Sequence, residues 1–240
     1  MTGPTNTVSS TKPIISASAL RGAIVAGLAA AASLAAYEAC RGVLSAQARA
    51  QGVAALAAAE HLPIGPARDT ELARAQSIAG QAVDLTPDDA DLWNLLAETR
   101  LMQATGAAAA SEPLLKSAAD ASIHAATLAP NDPAPPARIA FVHALEEDGK
   151  DQVAAPLAKS YAASAFDPSL GQRRVEAAAR AWTTLSEGVR AAALGEACQL
   201  ARTDGQERQR LYKLRMGPAE SGMALELDRI LADPSCAVPD

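Results

Sequence analysis

Aromatic residues make up only 3% of this 240-residue chain, and β-branched residues are sparse. Strands draw on both, and no stretch alternates apolar and polar side chains between turn signals, so strands are disfavoured. Cysteine is scarce as well. Cys40, Cys198 and Cys236 are too few and too scattered for a disulfide framework. Cys198 and Cys236 form a candidate disulfide if the compartment is oxidising; otherwise they are two unrelated small apolar side chains. No CxxC or HExxH occurs around His61, His124 and His143, so no metal site is expected. His124 lies one helical turn after Asp120, and His143 precedes Glu146 and Glu147; both read as surface pairs. GxSxG, GxGxxG and the GxxxxGK phosphate loop are missing too, so neither catalysis nor a cofactor is expected.

Positive charge is short. The formal net charge is −6, and from Glu38 onward 19 basic residues face 27 acidic ones, a net −8. No Lys/Arg run is interleaved with aromatics, and an acidic body repels phosphate backbones, so nucleic acid is not an expected partner.

What is present in quantity is alanine and leucine, which supply most of the 49% hydrophobic content. These residues lose little side-chain entropy in a helix and let helices approach closely, so the fold class is all-α. Residues 1–18 read as a flexible polar tail without an acidic residue. Residues 20–37, LRGAIVAGLAAAASLAAY, carry one charge, Arg21, and Glu38 and Arg41 close the run. About 20 apolar residues span a bilayer core, so this stretch is a short, alanine-diluted span. An uncleaved anchor, a cleaved signal peptide and a buried soluble helix compete for it, and the anchor is favoured. Lys12, Arg21 and the α-amino group make the N-terminal side positive, which directs the acidic body out of the cytoplasm. The expected domain order is a tail over 1–18, an anchor and helical stalk over 19–60, a linker over 61–68, helical repeats over 69–202 and a cap over 203–240.

Prolines punctuate the body. Pro87, Pro130 and Pro168 are 43 and 38 residues apart, each ending an Ala-rich stretch and followed by polar residues able to cap the next helix. That spacing suits one helical hairpin per unit. Ala75, Ala82 and Pro87 precede Trp93, Leu96 and Ala97; Ala118, Ala125 and Pro130 precede Ile139 and Ala140; a weaker copy runs from Ala163 and Pro168 to Ala177 and Ala178. The pattern resembles the tetratricopeptide repeat (TPR) family. It departs from that family at Pro135 and Pro136, which stand where a large aromatic is usual, and at Trp182, which comes late in its helix.

The resemblance implies a TPR-like α-solenoid of helical hairpins, and the apolar run over 20–37 adds one expected N-terminal transmembrane helix ahead of it. It also implies a groove lined by the first helix of each hairpin, at Asp91, Asn94, Glu98, Met102, Phe141, Leu145, Gln172 and Trp182. Phe141 and Trp182 read equally well as filling between hairpins. Such a groove holds a peptide or helix of a protein partner. The expected role is therefore a non-enzymatic scaffold in assembly of a bacterial cell-envelope complex, of the polysaccharide-export, pilus or cytochrome-maturation type. Its location would be the inner membrane, with one span and a periplasmic body. The alternative is a soluble or secreted module that self-associates into a homo-oligomer. Beyond the repeats, Ser186 is a candidate cap, and Met223, Leu225, Leu227, Ile230 and Leu231 form a stripe suited to a terminal capping helix.

Overall fold

The computed structural model describes residues 17–106, 111–203 and 205–236, with side chains described from Val25 onward except at Ser221. Most of the expected tail, residues 1–16, lies outside that description. The described residues form ten α-helices and three short 3₁₀ turns, with no strand among them. The chain divides into two compact units, Met1–Leu44 and Ser45–Asp240.

The first unit holds the beginning of α1 (Ala17–His61). Val25, Leu28, Leu34 and Tyr37 are exposed on it, and Arg41 pairs with Glu38 at 3.1 Å while lying over the Tyr37 ring. Among the described residues no helix is long and apolar enough to cross a membrane. The expected span over 20–37 starts among side chains outside the description, and alanine, glycine and serine dilute the rest before Glu38 and Arg41 close it.

The second unit takes in the end of α1, because Ser45 begins it. The expected stalk therefore divides, and its last part is packed structure. Ala55 and Ala59 are buried, and a Cβ at Gly52 would sit 2.6 Å from Leu95 Cδ2. Then follow α2 (Pro66–Leu85), α3 (Ala90–Gly106), α4 (Glu112–Leu128), α5 (Ala134–Leu145), α6 (Ala154–Ala163), α7 (Pro168–Arg180), α8 (Glu187–Thr203), α9 (Gly205–Met216) and α10 (Ser221–Ala232). The α1–α2 connection is shorter than the expected linker. It turns at Gly65, whose φ of 152° only glycine adopts without strain.

Proline and aspartate set the helix starts. Pro168 opens α7 behind Asp167, whose carboxylate accepts from the Ser169 N–H at 2.9 Å. Asp89 does the same for the Asp91 N–H before α3, and Asp132 for the Ala134 N–H before α5, each at 2.9 Å. Pro135 and Pro136 fall in the first turn of α5, where a missing N–H costs nothing, so they set the start of that helix. Ser186 Oγ accepts from the Val189 N–H at 3.4 Å ahead of α8.

From α2 onward each helix packs on its successor, and α3 with α5, α5 with α7 and α7 with α9 also touch directly. The repeat alanines explain how. Ala75, Ala82, Ala97, Ala118, Ala125, Ala140, Ala177 and Ala178 are all fully buried, whereas Ala163, in the weakest copy, is exposed. Small side chains at helix crossings permit this approach, and a leucine in their place would overpack the site by about 1–3 kcal/mol. The interior is a succession of clusters. One joins Ala59, Leu72 and Met102, a second runs from Ala79 to Ala121, and the largest from Leu101 to Leu231. At the C-terminal end α9 and α10 pack on α8 and on each other. Met223, Leu227 and Leu231 of the expected stripe are buried there, while Leu225 is exposed.

Candidate functional site

Polar side chains link the odd-numbered helices. Asp91 on α3 pairs with Arg49 on α1, both largely exposed. Asn94, one turn on, donates to Asp132 Oδ2 at 2.8 Å and accepts from Arg138 of α5 at 3.2 Å. Glu98, another turn on, accepts from Arg138 Nε at 3.2 Å and from Arg173 Nη1 of α7 at 2.6 Å. On α7, Gln172 accepts from Arg210 of α9 at 3.2 Å. The spacing of Asp91, Asn94 and Glu98 puts them on one side of α3 because helix neighbours recur every three to four residues. The bonds from Arg49 to Asp91, Asn94 to Asp132, Glu98 to Arg138, Asn94 to Arg138 and Gln172 to Arg210 join residues 42, 38, 40, 44 and 38 apart. Those separations match the proline period.

Glu98 is the electrostatic centre. Burial opposes its ionisation, but the Arg173 and Arg138 guanidiniums prevail and hold its carboxyl below the usual glutamate range. Arg138 is itself buried, which pushes its pKa down, and Glu98 offsets part of that shift. Ser122 Oγ takes a further bond from Arg138 at 3.4 Å.

A second cluster is sealed. Arg174 on α7 and Glu196 on α8 pair with no side-chain exposure on either residue. Tyr161 of α6 donates to Glu196 Oε2 at 2.9 Å, and its ring lies 4.5 Å from the Arg174 guanidinium carbon. Arg174 also donates to the Ser164 carbonyl at 2.8 Å. Burial raises the Glu196 carboxyl despite the bonds from Arg174 and Tyr161, and burial beside Glu196 raises Tyr161 strongly. Gly171 makes room, since a Cβ there would meet Leu200 and Glu196 at 3.2 and 3.3 Å.

At the C-terminal end a disulfide joins Cys198 of α8 to Cys236 in the last 3₁₀ turn (Pro234–Cys236), with Cα atoms 4.9 Å apart. Arg208 of α9 donates to the carbonyls of Leu231 and Cys236. Closing a loop of this length contributes about 3–4 kcal/mol on the chain-entropy account. Cys40 is a free, exposed thiol.

Asp91, Asn94, Glu98 and Gln172 thus lie among the cross-helix bonds. The other expected groove residues do not. Met102, Phe141 and Trp182 are buried in the interior clusters, because large apolar side chains fill the gaps that alanines leave between hairpins. Trp182 stands in its own 3₁₀ turn (Trp182–Thr184), against Gly222, where a Cβ would come within 2.8 Å of the ring. Leu145 lines a separate cavity of about 450 Å³ together with Glu112, Glu146, Glu147 and Asp148. Arg49, Asp132, Arg138, Arg173 and Arg210 were not anticipated. For Asp132, Arg138 and Arg210 a signal was available, since each follows an acid or amide by about one proline period, whereas Arg49 precedes its acid and Arg173 lies 75 residues from Glu98. Of the histidines, His143 pairs with Glu146 at 2.8 Å, while His124 stacks on Trp93 with ring centres 4.5 Å apart. Among the described residues no group of three or more His, Cys, Asp or Glu is placed to hold a metal ion.

No family model, no curated protein and no solved structure matches the chain.

Proposed function

We propose that this chain is a TPR-like helical-repeat scaffold, without catalytic activity, whose odd-numbered helices present a face to a protein partner bound as a peptide or helix. The observation that carries the reading is the recurrence of cross-helix polar bonds at separations of 38 to 44 residues. A one-dimensional stack repeats its contacts at the unit length, whereas helices gathered round a single centre have no reason to. Exposed Asp91 and Gln172 supply polar contact points on that face. The charged side chains of both clusters are held in mutual ion pairs and hydrogen bonds, which suits a rigid binding surface better than an acid–base centre.

The scaffold is anchored in the bacterial inner membrane through residues 20–37 and serves assembly of a cell-envelope complex. The exposed Val25, Leu28 and Leu34 support the anchor, and the disulfide supports an oxidising, periplasmic setting for the body.

Photo-reactive residues placed separately at Asp91, Gln172 and Ile123 test the binding face in membranes. Crosslinks to one partner from Asp91 and Gln172, but not from the exposed α4 position Ile123, are expected. Equal labelling from all three, or none, overturns the reading. A reporter fused after residue 68 is expected in the membrane fraction, and complete recovery in the soluble fraction would remove the anchor.

A further inference from the structure

Charge is unevenly divided within the second unit. Residues 45–167 carry eight Lys/Arg against sixteen Asp/Glu, a net −8, while residues 168–216 carry nine against five, a net +4. The positive stretch builds a groove. Gln172, Glu176 and Arg180 recur at four-residue intervals along α7, and Arg210, Lys213 and Leu214 face them from α9. Together they line an open cavity of about 330 Å³. Glu176 answers Arg180 at 2.8 Å, and Glu207 answers Arg210. Lys213 has no polar partner among the described residues, so the groove retains positive charge over the apolar Leu214.

The opposite sign is presented on a fixed corner. The chain leaves α5 at Glu146 and turns so tightly that a Cβ at Gly149 would lie 2.2 Å from the His143 carbonyl oxygen. Glu147 and Asp148 are exposed at this corner, on the wall of the cavity that Leu145 also lines, and have no polar partner among the described residues. The nearby cation Lys150 is occupied by Glu220 at 2.8 Å. A corner held by backbone packing meets a partner with little ordering cost, and unanswered charge of opposite sign on two surfaces steers their encounter.

We propose that the α7–α9 groove of one copy receives the Glu147–Asp148 corner of a second copy, giving head-to-tail self-association of this chain. The two surfaces differ, so the contact is heterologous and propagates into short open chains unless its rotation closes a ring. An acidic segment of another protein is the competing occupant.

The experiment is sedimentation velocity of the full chain in mild non-ionic detergent, over a concentration series at low and high salt. Species larger than the protomer are expected at low salt, with dissociation at high salt as exposed charges are screened. Arg210→Glu with Lys213→Glu, or separately Glu147→Lys with Asp148→Lys, should weaken association by about tenfold or more. Mixing the two reversed chains should restore association, as alternating copies, that neither supports alone. A chain that is a protomer at every salt and concentration overturns the proposal. So does association indifferent to both reversals, which points to the apolar N-terminal segment, and so does a failure of the mixture to restore pairing. Circular dichroism of each variant checks that the helices persist. The scaffold reading is tested separately by crosslinking from Asp91, which lies on α3 outside the groove that Gln172 lines.

Discussion

Arg173 and Arg174 are neighbours on α7, yet they enter clusters with opposite electrostatics. Successive residues of a helix point about 100° apart, so one guanidinium reaches Glu98 on the odd-helix side and the other turns inward to Glu196. Glu98 has two arginines and retains some exposure, and their attraction outweighs burial, so it ionises more readily than a free glutamate. Glu196 has one arginine and no exposure, and burial wins. The same residue types thus serve as a clasp between helices in one place and as a costly internal pair in the other. Burial opposes ionisation in both places, and the number of arginines set against it decides which.

The largest effect is expected from breaking the sealed pair on one side. Glu196→Ala leaves Arg174 charged, buried and unanswered, and should lower the unfolding free energy by about 3–5 kcal/mol. Arg174→Met combined with Glu196→Leu removes both charges and should recover most of that loss. Chemical denaturation of the three proteins measures it, and a double variant as unstable as the single one would contradict the view that desolvation dominates.

A matched pair of milder substitutions sharpens the contrast through pH. Glu98→Gln should cost about 2 kcal/mol near neutrality by weakening bonds to two guanidiniums. Because the folded carboxyl is lowered, its contribution is present above the unfolded value of about 4.3 and is lost as pH falls through the lower folded value. The gap between wild type and Glu98→Gln should therefore close on acidification. For Glu196 the folded carboxyl is raised, so its contribution is full below about pH 4.3 and declines as pH rises through the folded value. Relative to Glu196→Gln, the wild type should lose ground as pH rises. Unfolding curves from acid to neutral pH that slope the same way for both variants would erase the distinction.

The smallest effect belongs to the outer link. Arg49→Ala removes an ion pair with both partners largely exposed, and solvent screening should limit the loss to below about 0.5 kcal/mol. A thermal shift as large as that of Glu98→Gln would place this pair in the same class as the interior clasp.

The repeat alanines and prolines were legible because their effect is local and steric. A small residue is demanded wherever two helices cross, and a proline ends one helix or starts the next, whatever the partners. The placement of Phe141, Met102 and Trp182 was not legible. A helix offers several faces, and only the angle at which α5 or α7 packs on its neighbours decides which becomes interior. The arginines were overlooked for a related reason. Arg138 and Arg173 look like ordinary surface residues until Glu98 is brought beside them from 40 and 75 residues earlier.

The sequence by itself determined that this protein is helical and that prolines and aspartates start several of its helices, because propensity, capping and proline geometry act within a few bonds. Only the tertiary structure decided that Arg173 faces Glu98 while Arg174 is shut in with Glu196, and that Trp182 belongs to the interior. Burial and charge pairing depend on what the rest of the chain brings alongside, and those distances are set by packing.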